Sequence, residues 1–243
     1  MPKTWINKAK VGFVLFLFTT LITATDFLVT LCRGNVLSEM KWNTWLYFIP
    51  AIVGQAAMIA LPLYLVFLLL SAIFRNHEGV TVAYVVLAIL LQIVVVLDGL
   101  VFNLYRFHIN GFVLDLFFGA GSEVFVFDFW LCVKFAGLVL LVAIIPYIFA
   151  IWISSRVWPN LKRKAILSLS ILLLLCLVIA HLGHASATRK ADIRRSGTVM
   201  PLFFPLRANT LFGKLGMLVT DEIDNVNYNI ASADLDYPKH PLV

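Results

Sequence analysis

Charge is scarce in this sequence. Only 13% of its 243 residues are Asp, Glu, Lys or Arg, against 61% hydrophobic, and the mean hydropathy is +0.94. A soluble domain of that length would leave far too much apolar surface in water, so an ordinary globular protein is excluded. Cysteine is scarcer still. Cys132 and Cys176 fall inside apolar runs and Cys32 stands alone at a boundary, which leaves no disulfide framework. Catalytic signatures are missing: there is no Gly-rich phosphate loop, no HExxH and no GxSxG. The alternating ~10-residue pattern of a membrane barrel is missing as well, and so is any internal repeat.

What the sequence has is long apolar runs. A helix needs about 20 apolar residues to cross the ~30 Å hydrocarbon core. Five stretches qualify, at roughly 11–31, 46–74, 80–102, 129–153 and 165–182. The second is overlong and contains Pro50 and Pro62, and the fourth contains Pro146, so tilts or kinks are expected there. The first run is too long for the apolar core of a signal peptide and lacks a cleavage site. The expected fold is therefore all-α: a polytopic five-helix membrane domain over residues 1–187, followed by a tail, 188–243, of different composition.

Orientation follows from the short loops. Lys3, Lys8, Lys10, Arg75, Arg156, Lys162, Arg163 and Lys164 fall on one side, and only Arg33, Lys41 and Arg106 on the other. The richer side is cytoplasmic, which puts the N-terminus in the cytoplasm and the tail outside.

Ionisable residues inside apolar spans are functional candidates because burying them costs about 2.5–3.5 kcal/mol even on lenient scales. Asp26, Asp98 and Asp128 all lie near the outer ends of their runs, with Lys134 about two turns deeper and Arg106 above. This is read as a cluster that fixes helix register. A proton or ion path is the alternative, but only Gln55 and Gln92 continue the polar lining inward.

Two outer segments are neither span nor ordinary loop. In "YRFHINGFVLDLFFG", residues 105–119, Asn110 can cap a short helix whose Phe112, Val113, Leu116 and Phe117 form an apolar face. Such a helix over 110–118 is expected to lie in the membrane interface, as a platform for lipid or a partner or as a lid on the bundle. In the tail, Arg189, Lys190, Arg194 and Arg195 stand at the foot of the last span, and Arg207 and Lys214 extend the basic strip into "MPLFFPLRANTLFGKLG". Closely spaced bases at an outer boundary suit phosphate-bearing headgroups. His181 and His184, at i and i+3, and His108 supply fewer ligands than zinc requires, so no metal is expected.

Five spans, the 105–119 segment and the 200–216 segment together resemble the membrane domain of YejM/PbgA-type inner-membrane proteins of Gram-negative bacteria, over about residues 5–222. The resemblance implies a bacterial inner-membrane location and a periplasmic tail. It also implies a non-catalytic function: sensing anionic lipid, lipopolysaccharide or cardiolipin, and regulating envelope lipid synthesis through a LapB-like adaptor, with no cofactor and no nucleic acid involved. Lipid A contact in that family uses two adjacent arginines after a proline. The matching positions here are Asn209 and Thr210, with Arg207 two places before, so Thr210 offers a hydroxyl and Arg207 a charge. The family's sulfatase-like periplasmic domain is missing, and the chain stops in what resembles its linker, which implies a fragment or a shortened homologue. Two alternatives remain at this point. One is the anchor of a periplasmic sulfatase or phosphoethanolamine-transferase-like enzyme whose catalytic domain lies elsewhere. The other is a small transporter built on Asp26, Asp98, Asp128 and Lys134.

Overall fold

The computed structural model describes residues 3–33, 42–74, 76–119, 129–140, 144–145, 147–148, 152, 162–186, 193, 197–203 and 209–216. No strand occurs among them. The helices are α1 (Lys3–Arg33), α2 (Trp42–Ile73), α3 (His77–Tyr105), α4 (Gly111–Gly119), α5 (Phe129–Val139), α6 (Arg163–Ser186) and α7 (Asn209–Lys214). Among the described residues, α1, α2, α3 and α6 are each long and apolar enough to cross a membrane. The chain is a helical membrane protein. Its surface agrees with this, because the long helices turn Leu21, Leu69, Val82 and Leu174 outward, all of them exposed. In water such a surface would drive aggregation; in lipid it is solvated. The expected run 129–153 is described only in part, as α5 and a few residues beyond it.

α2 is the hub, packing against α1, α3 and α6. It stays helical through Pro50 and Pro62. Lys8 at the start of α1 donates to the carbonyl of Phe74 just past α2, so these two helices run antiparallel. α1 and α3 run parallel, in one register: Gln92 donates to Thr23, 69 residues earlier, and Gly99 faces Thr30 at the same offset. We call the end where α1, α3 and α6 finish the distal end.

Small residues set the closest approaches. A Cβ on Gly54 would stand 2.6 Å from the backbone nitrogen of Leu177, so α2 and α6 approach main chain to main chain there. A Cβ on Gly99 would stand 2.6 Å from Thr30 Oγ1. Without a strong hydrophobic drive between helices in lipid, such close contact is the usual source of association.

Three apolar clusters fill the interior. One, at the distal end, combines Phe27, Leu31, Phe48, Ile52, Val95 and Phe102 with Val199 and Met200 of the tail. A second joins Leu15, Phe67, Tyr84 and Ala88 to Tyr147, a buried residue of the 129–153 run. In the third, Phe16 stacks on Tyr64 at 5.3 Å between α1 and α2. Threaded through the second is a small hydroxyl group: Thr19 Oγ1 lies 3.0 Å from Tyr84 Oη and 3.1 Å from Tyr147 Oη. Thr19 also donates to its own helix at the Leu15 carbonyl, so both tyrosines must donate to Thr19.

Candidate functional site

The distal cap begins where α3 stops. Arg106 takes the left-handed conformation, φ 63°, and its N–H closes back on the Phe102 carbonyl at 2.8 Å. This is an ordinary way to end a helix, although glycine usually fills the position. The reversal lays the next residues back along α3. The His108 ring stacks on Phe102 with centroids 4.7 Å apart, and its Nδ1 comes 2.6 Å from Asp98 Oδ2. The other carboxylate oxygen of Asp98 accepts the N–H of Ile109 at 2.7 Å. Two residues later α4 starts, with the Asn110 side chain accepting the Val113 N–H at 3.1 Å, the cap expected from the sequence.

The tail supplies the other wall. Ile193, Val199 and Met200 are buried, and the chain turns at Pro201 and Leu202, the latter with φ 55°. The carbonyl of Pro201 accepts from Gln55 Nε2 at 2.9 Å. Gln55 lies about 20 Å of helical rise in from Trp42, so the tail re-enters the bundle rather than resting on it. Irregular backbone at such depth is tolerated where it packs against protein, as Val199 and Met200 do here. Phe203 is gripped by both histidines of α6, with ring centroids 5.4 Å from His181 and 5.7 Å from His184. The second ring contact of the loop closes the cap: His108 Nε2 lies 2.7 Å from the carbonyl of Thr198. Three of the chain's five histidines therefore touch residues 197–203.

The electrostatics of His108 follow from these neighbours. Burial of the ring works against a charge, but its hydrogen bond to Asp98, the Asp98 carboxylate charge and its hydrogen bond to the Thr198 carbonyl outweigh it and hold His108 above its ordinary pKa.

The charged residues singled out in the sequence are distributed as follows. Asp98 is buried and taken up by His108 and Ile109. Asp26 is half-buried on α1, and its Oδ2 is buried without a hydrogen-bond partner among the described residues. Lys134 on α5 and Arg106 are exposed. Asp98 is thus paired through the loop, and Asp128 lies outside the described residues. Of the basic strip, Arg189, Lys190, Arg194, Arg195 and Arg207 also lie outside them. Thr210 and Lys214 are exposed on α7, which packs against α6.

Sequence reasoning missed His108 as the partner of Asp98, Gln55 as a tail anchor, and Tyr147 as a core residue. Only the first had a usable signal, a histidine ten residues after a buried aspartate at the end of a span. No group of three or more His, Cys, Asp or Glu among the described residues could hold a metal ion.

A family model described as a domain of unknown function, DUF3413, matches residues 13–243. No curated protein matches the chain.

Proposed function

The chain belongs to the DUF3413 family, and from that premise we propose that it is a non-catalytic membrane module binding anionic lipid at its distal face. In this reading the bundle has five spans, the run 129–153 completing it, and sits in a bacterial inner membrane. The N-terminus is cytoplasmic, the distal end is periplasmic, and α4 lies in the plane of the interface. The task is sensing of lipopolysaccharide or another anionic lipid in the service of envelope lipid balance.

The observation that carries the reading is the re-entrant tail. Ile193 and Gly197 are buried, and consecutive Cα atoms are only about 3.8 Å apart. In this reading Arg194 and Arg195, which lie between those two residues in sequence, and Arg189 and Lys190 just before them, supply the cations of the distal rim. A rim of cations at the level of the headgroups suits phosphate, each basic group contributing about 1 kcal/mol near a charged surface. α4 supports the same reading, because Phe112 and Phe118 are exposed side chains on a helix that begins beside the cap.

The test is lipid retention. Protein extracted in mild detergent, wild type and with Arg189, Lys190, Arg194, Arg195 and Arg207 changed to Gln, is analysed for bound lipid at rising salt. Enrichment of anionic lipid that falls with salt in the wild type and is lost in the variant supports the reading. Equal retention in both, with the same salt response, overturns it.

A further inference from the structure

His108 stands between two acceptors. On one side is a carboxylate oxygen of Asp98 at 2.6 Å, on the other the main-chain carbonyl of Thr198 at 2.7 Å. A carbonyl cannot donate, so Nε2 must carry a hydrogen. The short contact on the other side needs a proton too, either on Nδ1 or on Oδ2. Wherever it resides along that contact, the pair holds one proton more than an ionised aspartate with a neutral imidazole. The Asp98 Oδ1 atom is already occupied by the Ile109 N–H and offers the ring no alternative.

We propose that this His108–Asp98 pair is a protonation-controlled latch that seats tail residues 197–203 in the distal mouth of the bundle. When the shared proton leaves, a single ring hydrogen remains for two acceptors. The ionised Asp98 is the stronger of them, so the ring keeps Asp98 and gives up Thr198. The tail then loses its side-chain tie to the loop, while the Gln55 contact to Pro201, which has no titrating group, stays. The movement expected is therefore a loosening of 197–200 about an anchored turn, not ejection of the tail.

Among the described residues, the charged and titratable groups around the latch are these. Asp98 is its partner on α3, and Arg106 stands two residues away at the helix end. Across the tail, His184 on α6 meets Gly197, where a Cβ would lie 3.3 Å from its ring, and His181 meets Phe203. Asp115 on α4 is exposed. The position of His108 above its ordinary pKa supports the same assignment. The sign follows: a histidine raised by folding stabilises the docked tail fully below its unfolded pKa, and that contribution is lost as pH rises through the folded value. The docked form is the acid form.

This inference does not rest on the lipid reading and can fail separately from it. Hydrogen exchange of the full chain in nanodiscs of neutral lipid, corrected for intrinsic rates, is followed over 197–203 at about pH 6 and about pH 9, either side of the ordinary histidine range. In the wild type, exchange is expected to be about tenfold faster at the higher pH, the change that accompanies one lost charge-assisted hydrogen bond. In His108→Gln the segment should exchange quickly at both, and in Asp98→Asn the step should move to lower pH. Equal protection of the wild type at both pH values overturns the proposal. So does a pH step that survives in His108→Gln, which would belong to His181 or His184. Should His108→Gln fail to fold, the wild-type pair and the Asp98→Asn midpoint still decide.

Discussion

Gln55, fully buried on α2, donates to the carbonyl of Pro201, 146 residues further along the chain in a partly buried turn. An amide in the middle of an apolar helix is thereby matched to a turn that has no regular secondary structure to satisfy it. The amide nitrogen and the Pro201 carbonyl satisfy each other, while Gln55 Oε1 is buried without a hydrogen-bond partner among the described residues.

Replacing Gln55 by Leu should therefore do more than remove a hydrogen bond. It leaves the Pro201 carbonyl unpaired in a partly buried turn, a loss of about 1–3 kcal/mol. A lower midpoint of thermal unfolding in detergent, together with faster exchange at 197–203, is the expected result. An unchanged midpoint would mean that water reaches the turn.

Asp26 presents the opposite case, since its Oδ2 is buried without a hydrogen-bond partner among the described residues. Asp26→Asn should raise stability by about 1 kcal/mol or more, because a buried unpaired carboxylate is costly within a span. Thermal unfolding reads this directly. A loss of stability instead would show that the carboxylate has a partner, such as a bound cation, that the helices alone do not supply.

Gly54 and Gly137 form a matched pair of alanine substitutions. At Gly54 the added carbon meets the backbone of Leu177 and nothing flexible can give way, so Gly54→Ala should destabilise by about 1–3 kcal/mol. At Gly137 on α5 nothing lies within 4 Å, so alanine there should stabilise by up to about 1 kcal/mol through helix propensity. The difference in unfolding midpoint between the two variants is the measurement.

Tyr147 tests whether the incompletely described run packs as a span. Its hydroxyl and Thr19 should couple by about 0.5–1.5 kcal/mol in a double-mutant cycle of Tyr147→Phe and Thr19→Val. Zero coupling would detach that run from α1.

Much of the bundle was legible in advance because apolar length is itself the signal for a span. The four long helices fall on expected runs, with α3 extending to Tyr105 and α6 to Ser186. The Asn110 cap was legible for a local reason, since a capping side chain and its N–H lie three residues apart. The Asp98–His108 pair was not. Its existence depends on where α3 stops, and the stop is an arginine in a left-handed conformation, a residue type that announces no helix end. The re-entry of the tail was hidden because a short apolar run with two prolines reads the same lying on a membrane or inserted between helices. Gln55 looked isolated because its partner is a main-chain carbonyl, which any residue possesses.

The contact between His108 and Thr198 joins segments 90 residues apart, and that separation has a consequence for how the protein is made. At about 5–20 residues per second, roughly 5–20 s pass between synthesis of the loop and of its partner. Throughout that interval Gln55, His108 and the rim of the first three helices are already in place and open. An insertion factor or a membrane protease meeting the nascent chain would find an unsealed mouth, and only arrival of the tail would close it. The cap thus distinguishes a chain synthesised past Phe203 from one interrupted before α6.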